Sequence, residues 1–395
     1  MDEKVTTYEE SDIQVLYGAA AFRKRPGMYI GSTGPRGLHV LVYEIADRPV
    51  NGTPAGRAAS VDITLTADGG VRVADDVAGE ADGPGLEARL TRTGPGTGFR
   101  GRDRVLLGGF GVGPAVVNAL SRRMTAEVRY DGVRWAQEYA RGAAVTPLTE
   151  TGTTARNGTV ITFWPDADIF GSAECSADAL EERLRELAFL NPGLDLSLTD
   201  RRRPDEARSA RMCFPGGTRD FVGFLDGHEA AHSDGHEAAH SPGDTIAFAH
   251  EDSRMAGVMA LAFRWCDRPG ERVRSFANSR ATPSGTHVAG FRDGVAAAVS
   301  AYARGGGLLA PMDPDVPADR VGEGLTAVVS VKLDRPEFLG AIRERLGNDE
   351  ARACVARAVR EHLGRWLRED SERAAAVVGR IVAGSRTRGV PGPVA

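Results

Sequence analysis

The segment GLHVLVYEIAD, residues 37–47, carries apolar residues at helical spacing with few polar interruptions, which predicts a buried helix. Pro49, Gly52, Pro54 and Gly56 are expected to end it. Before it, residues 1–16 read as a polar arm, and residues 17–30 as a helical stretch with the basic segment Arg23-Lys24-Arg25-Pro26. After it, VDITLTADGGVRVADD (61–76) alternates on either side of an Asp-Gly-Gly turn, the pattern of a β-hairpin. Residues 79–109, rich in Gly, Pro, Thr and Arg, read as a long flexible loop. A helix is expected from Pro114, strands near 124–140 and 158–164, and an amphipathic helix over 179–190.

The polar run from Thr199 to Thr218, which closes on Pro215-Gly216-Gly217, suggests a boundary that divides the chain into residues 1–217 and 218–395. Beyond it, GVMALAFRW and LTAVVSVKL read as strands, with helices near 288–303 and 350–368, an α+β pattern. The last dozen residues are expected to be disordered.

Composition narrows the class. The chain has 395 residues, enough for two or three domains at roughly 100–200 residues each. At a net charge of -5 it is no polycation, so DNA would have to be met by a local basic face. Of 49 basic residues all but Lys4, Lys24 and Lys332 are arginine, a bias that says little about phosphate binding. Cys175, Cys213, Cys266 and Cys354 are far apart, which argues against a zinc site and a disulfide framework and fits a reducing cytoplasm. The acidic N-terminus does not resemble a signal peptide, and no apolar run reaches the ~18–20 residues of a membrane span. A soluble cytoplasmic protein with no membrane partner is expected.

Short motifs recur in a fixed order: RKRPGMYIGS (23–32) followed by GLHVLVYE, then VNALS (117–121), GTVITFWPD (158–166), GTHVAGF (285–291), EGLTAVVSVK (323–332) and RERLGN (343–348). Taken together they resemble the N-terminal ATPase and transducer region of the B subunits of DNA gyrase and topoisomerase IV, within the wider gyrase, Hsp90, histidine-kinase and MutL group. The resemblance implies an α+β protein. A two-layer α/β sandwich of the Bergerat type would carry an ATP pocket, and a transducer similar to the second domain of ribosomal protein S5 would follow. It implies ATP as ligand, a homodimer formed through an N-terminal arm around Tyr8 and Ile13, and gyrase subunits and DNA as partners. In that family ATP binding closes the dimer as a gate around DNA. No acidic metal-binding domain of the DNA-cleaving kind is recognisable, so this polypeptide is not expected to cut DNA.

The resemblance also assigns residues. Glu44, read alone, is a helix-edge carboxylate; its place in the motif makes it the general base that orients the attacking water. Four residues on, the family has an asparagine that ligates Mg²⁺, and here stands Arg48, whose guanidinium has donors only. Either the metal no longer binds, or Arg48 contacts the phosphates directly. Asp75 would accept from the adenine amino group and Gly79 would keep the backbone close to the base, while Val77 replaces the first glycine of the family's D-x-G-x-G. Gly111-Val112-Gly113 match the phosphate-binding end of the ATP lid, with Phe110 at a histidine position, and Thr159 matches a threonine near the adenine. Ala341, Ile342 and Arg343 stand where the family has Gln-Thr-Lys, whose lysine reaches the γ-phosphate; Arg343 keeps the charge without the compact ammonium. No metal ligand is assigned.

His-Glu-Ala-Ala-His at 228–232 has the form of a zinc-protease motif but repeats at 236–240, and a tandem duplication in a surface loop explains it. Two functions stay open: an altered ATPase, and a pseudo-ATPase that keeps the fold as a dimerisation or gyrase-modulating module.

Overall fold

The structure is a computed structural model that describes residues 16–51, 59–77, 85–92, 111–230, 245–266, 269–340, 344–369 and 371–387. It is α+β, as expected. Three helices open it: α1 (Ala19–Lys24), α2 (Gly27–Ile30) and α3 (Pro35–Asn51). The first sheet has nine strands: β1 (Ala59–Leu65), β2 (Val71–Asp75), β3 (Ser121–Tyr130), β4 (Val133–Ala140), β5 (Ala143–Ala144), β6 (Thr149–Thr153), β7 (Gly158–Pro165), β8 (Leu194–Asp200) and β9 (Arg208–Met212). Their order is β5-β4-β3-β7-β2-β1-β8-β9, with β6 also on β4. Four helices lie between these strands: α4 (Leu86–Thr91), α5 (Pro114–Ala119), α6 (Ala167–Phe170) and α7 (Ala177–Leu190). The hairpin read around Asp68-Gly69-Gly70 is β1–β2, which pair antiparallel with Val61 opposite Asp75.

The long helix is buried on nearly every side: Leu38, Val40, Leu41, Val42, Tyr43, Ile45 and Ala46 enter one core with Val61, Ile63 and Val73 of the sheet and Leu180, Leu184 and Leu187 of α7. That continuous burial explains why its hydrophobic pattern runs all round the helix. Pro49 does not end α3, contrary to expectation. It falls in the last turn, and Asn51 closes that turn by donating from its side chain to the Asp47 carbonyl at 2.6 Å. Within the stretch read as loop, Leu86 and Leu90 are buried and fold as α4; the remainder of that stretch lies largely outside the described residues.

A helix α8 (Thr218–Ala230) leads to a second sheet of β10 (Ile246–Asp252), β11 (Gly257–Trp265), β12 (Arg272–Ala277), β13 (Arg280–Ala281) and β15 (Leu325–Leu333), ordered β10-β11-β15-β12-β13. A small third sheet joins β14 (Ser284–Gly285), β16 (Phe338–Leu339) and β17 (Arg345–Leu346). α9 (Thr286–Gly305), α10 (Asp349–Glu369) and α11 (Ser371–Thr387) complete this half, and α11 runs into the tail for which disorder is expected. Residues 231–244, which hold most of the duplicated His-rich segment, lie outside the described residues, as do the N-terminal arm with Tyr8 and Ile13 and the tail from 388.

The two large sheets meet through a separate apolar cluster. Phe189 and Leu190 at the end of α7 pack with Phe221 and Val222 of α8 and with Ala262, Phe276 and Val328 of the second sheet. The Phe189 ring stacks on Phe214 at 3.8 Å and on Phe221 at 4.7 Å. Polar bonds cross beside it: Lys332 Nζ donates to Asn191 Oδ1 at 2.6 Å, and Arg183 donates to the Ser279 carbonyl at 3.0 Å. Asn191 also donates to the Leu187 carbonyl at the end of α7, so one side chain both ends the helix and meets the second sheet.

α9 and α10 touch backbone to backbone. A Cβ on Gly290 would lie 2.3 Å from the Arg352 carbonyl oxygen, and one on Gly294 would lie 2.6 Å from that of Ala356. Gly294→Ala is therefore expected to lower stability by about 1–3 kcal/mol through overpacking, although alanine favours helix by about 1 kcal/mol. Urea denaturation of the variant beside the parent checks this; an unchanged or raised midpoint would refute the close approach.

Candidate functional site

The first sheet and α3 bring two groups of predicted residues into fixed positions. At one, β2 ends at Asp75 opposite Thr159 of β7, and both side chains are buried. Gly158 makes that pairing possible: its φ is +135°, and a Cβ there would sit 2.0 Å from the Asp75 carbonyl oxygen. Only glycine fits such a backbone at such a distance. Asp75 Oδ1 accepts from the Val77 amide at 3.1 Å, so the carboxylate turns the chain out of the strand. Val77 is itself buried, filling space at the motif position where the resemblance calls for glycine.

At the other, Glu44 stands on α3 amid apolar neighbours, 3% exposed. Its two carboxylate oxygens are each bound by a backbone amide: Gly111 N–H donates to Oε1 at 2.8 Å and Gly113 N–H to Oε2 at 2.7 Å. Both glycines hold positive φ, 63° and 84°, which turns the two amides to the same side and forms an anion-binding nest. Charge-assisted bonds of this kind are roughly twice as strong as neutral ones. Burial pushes the Glu44 carboxyl above its ordinary range, and the amides of Gly113, Gly111 and Val112 work against that rise.

The nest is anchored from behind. α5 starts at Pro114, directly after Gly113. Its Asn118, fully buried, donates to the Leu90 carbonyl of α4 at 2.8 Å and accepts from the Gly142 amide at 3.3 Å. The VNALS motif is thus a support for the glycine loop. The RKRPG motif also braces it, since Arg23 donates to Asp166 Oδ2 at 2.7 Å and to the Ala119 carbonyl at the end of α5 at 2.9 Å. Burial opposes the charge of Asp166, but the Arg23 hydrogen bond, the Asp168 amide and Arg141 outweigh it and hold the carboxyl below the usual range. Sequence reasoning missed Asn118, Arg23 and Asp166 as supporting partners. The last two are 143 residues apart, and only their shared motif order hints at a link.

Of the remaining sequence-predicted residues, Val112 lies between the two nest glycines. Arg48 is on α3, one turn beyond Glu44, with its side chain outside what the structure describes. Gly79, Phe110, Ala341, Ile342 and Arg343 lie outside the described residues.

Known proteins resemble the chain over most of its length. A family model for DNA gyrase B matches residues 217–389. The DNA gyrase B protein of Streptomyces coelicolor is 39% identical over 408 residues, covering 97% of this chain and 58% of the relative. The novobiocin-resistant DNA gyrase B protein of Streptomyces niveus is 40% identical with the same coverage. Among solved structures, the 43K ATPase domain of Thermus thermophilus gyrase B, in complex with an aminocoumarin, superposes with a TM-score of 0.75 at 29% identity, over 94% of this chain and 95% of that one. Over nearly its whole length the chain is similar to the ATPase region of DNA gyrase B proteins. It spans about 58% of the length of the curated gyrase B relatives it matches. The gyrase B structure from Myxococcus xanthus superposes over 92% of this chain and 99% of that one, at a TM-score of 0.72 and 26% identity. Among the described residues, no helix is long and apolar enough to cross a membrane.

The buried Glu44 sets a pH dependence for this gyrase B relative. Its folded-state pKa is raised above the ordinary 4.5, so the folded chain takes up a proton before the unfolded chain does. Stability should therefore rise as pH falls from neutral toward that ordinary value, and the contribution should be complete below it. Glu44→Gln removes the titration, so the stability difference between parent and variant should shift toward the parent as pH falls from about 8 to about 5. Urea midpoints of both proteins across that range test the sign; a parallel pair of curves would contradict it.

Proposed function

We propose that this chain is an ATP-binding unit of the gyrase B type, with Mg²⁺-dependent turnover weakened or lost. The observation that carries the reading is the pair of glycine amides converging on the Glu44 carboxylate of a buried helix, with Asp75 and Thr159 fixed on adjoining strands. Two N–H groups aimed at a common point suit phosphate oxygens. Asp75 is the acceptor for an exocyclic amine such as that of adenine, with Thr159 beside it and Gly79 following. When bound, ATP supplies the phosphoanhydride whose cleavage the family uses to drive its dimer gate; Glu44 would orient the water for that cleavage.

The donors do not fit magnesium. Position 48 holds a guanidinium where an oxygen ligand is needed, and among the described residues no three His, Cys, Asp or Glu side chains gather as a metal-holding group. Arg48 instead offers positive charge for a phosphate, and Arg343 stands at the family's γ-phosphate lysine. Residues 1–217 would bind the nucleotide and residues 218–395 would act as transducer, in a homodimer joined by the N-terminal arm, with gyrase subunits and DNA as partners. Val77 favours a second reading, a pseudo-ATPase that serves as a dimerisation or gyrase-modulating module, since a buried β-branched side chain replaces the glycine next to the adenine acceptor.

Calorimetric titration with a non-hydrolysable ATP analogue decides between them. The expected result is binding that survives EDTA, and at least about tenfold weaker binding for Asp75→Asn, since its one acceptor oxygen is needed by the Val77 amide and the side-chain NH2 then faces the ligand's amino group. Absence of binding by the folded parent, with and without Mg²⁺, would exclude the ATP reading and leave the module.

A further inference from the structure

The two strongest bonds at the glycine loop are made to a residue of the chain itself. Glu44 supplies a full negative charge, one oxygen to Gly111 and one to Gly113, at 2.8 and 2.7 Å. A backbone N–H has one proton to give, so an amide held by the carboxylate is not available to a phosphate oxygen of any ligand. Each carboxylate oxygen keeps a further lone pair, so it is the amides, not the carboxylate, that are used up. Phosphate binding by these two amides and their present hold on Glu44 therefore exclude each other.

We propose that Glu44 is a built-in competitor of the nucleotide phosphates for the amides of Gly111 and Gly113, which sets how strongly the pocket discriminates phosphate-bearing ligands from adenosine. This rests on the ATP-binding reading. The exchange is one anion for another on the same donors, so it needs no co-reactant and leaves no amide unsatisfied. Its cost is the loss of two charge-assisted bonds from the carboxylate, offset by the bonds the phosphate makes. The helix makes the competition effective. Leu41 and Ile45, one turn from Glu44 and next to it, are fixed in the core, so the carboxylate is presented to the loop by a rigid support and little entropy is lost in holding it there. The same rigidity distinguishes it from a surface carboxylate, which would leave the loop for water at little cost.

The test uses the whole chain and two ligands, a non-hydrolysable ATP analogue and adenosine. Titrations are run on the parent, Glu44→Ala and Glu44→Gln. Removal of the competing charge should tighten the analogue by at least about tenfold in Glu44→Ala, and by less in Glu44→Gln, which keeps the shape and one acceptor. Adenosine affinity should stay the same in all three, because adenosine does not call on the loop amides. A change in pocket shape would move both ligands together, so the split between them separates competition from structure. Glu44→Gln keeps the side-chain volume and serves where the alanine variant does not fold. Equal analogue affinity in parent and folded variants would overturn the competition while leaving ATP binding intact. Failure of all three folded proteins to bind the analogue would overturn both readings.

Discussion

A carboxylate on a helix with almost no polar face can stay charged only where donors come to it. Glu44 is in that position: its neighbours Leu41, Val42, Ile45 and Ala46 are all in the core, and its donors are amides on a loop 67 and 69 residues further along the chain. Much of the first half follows from meeting that need. The loop must turn two donors the same way, which requires glycine at positive φ at 111 and 113. The loop must also be stiff, and α5 behind it is pinned by Asn118 to α4 and by Arg23 to the end of α1. Left without these donors, the buried charge would cost several kcal/mol, or the group would hold its proton at neutral pH.

Much of this is legible in the sequence because it rests on short-range signals. The β1–β2 hairpin is written in an alternation and an Asp-Gly-Gly turn, and α7 in its apolar stripe. Motif order points to Glu44, Asp75, Gly111 and Gly113, and the folded chain joins two of those motifs by direct hydrogen bonds. Pairing at long range is not legible. Nothing local says that Arg23 belongs to Asp166, or that the amides after Phe110 close on Glu44 rather than face outward. Pro49 misleads for a related reason: a proline is a helix stop on average, but tolerance in a last turn depends on what the following side chain does, here Asn51.

The second half is legible in its strands, since β11 and β15 are largely buried on both faces and read as continuous apolar runs. Its helix packing is not. Gly290 sits in the GTHVAGF motif and reads there as part of a family signature, whereas its physical role is to let α9 meet α10 without a Cβ between them. The scarcity of lysine reads as a compositional oddity and no more. Lys332 shows what that oddity leaves room for: it places a compact ammonium on Asn191 beside the apolar seam of Phe189, Phe221 and Phe276, where a guanidinium fork is wider and asks for more acceptors.

These pieces form a continuous physical route from the pocket to the second sheet. His39, on the same helix as Glu44, accepts from the Ser176 amide at the start of α7 at 2.9 Å, and Asn191 at the end of α7 accepts from Lys332 of β15. Contiguity alone carries no coupling; coupling needs an element with two arrangements that both sites bias. The seam has the character of a fixed joint, held by stacked rings and buried bonds. The nest is different in kind. On the proposed exchange its donors pass from a carboxylate within to an anion from without, which would change the charge and position of a group rooted in α3. If ligand binding is felt in the second sheet, the exchange at Gly111 and Gly113 is where the two arrangements differ, and α3 and α7 are the rigid members that carry the difference across.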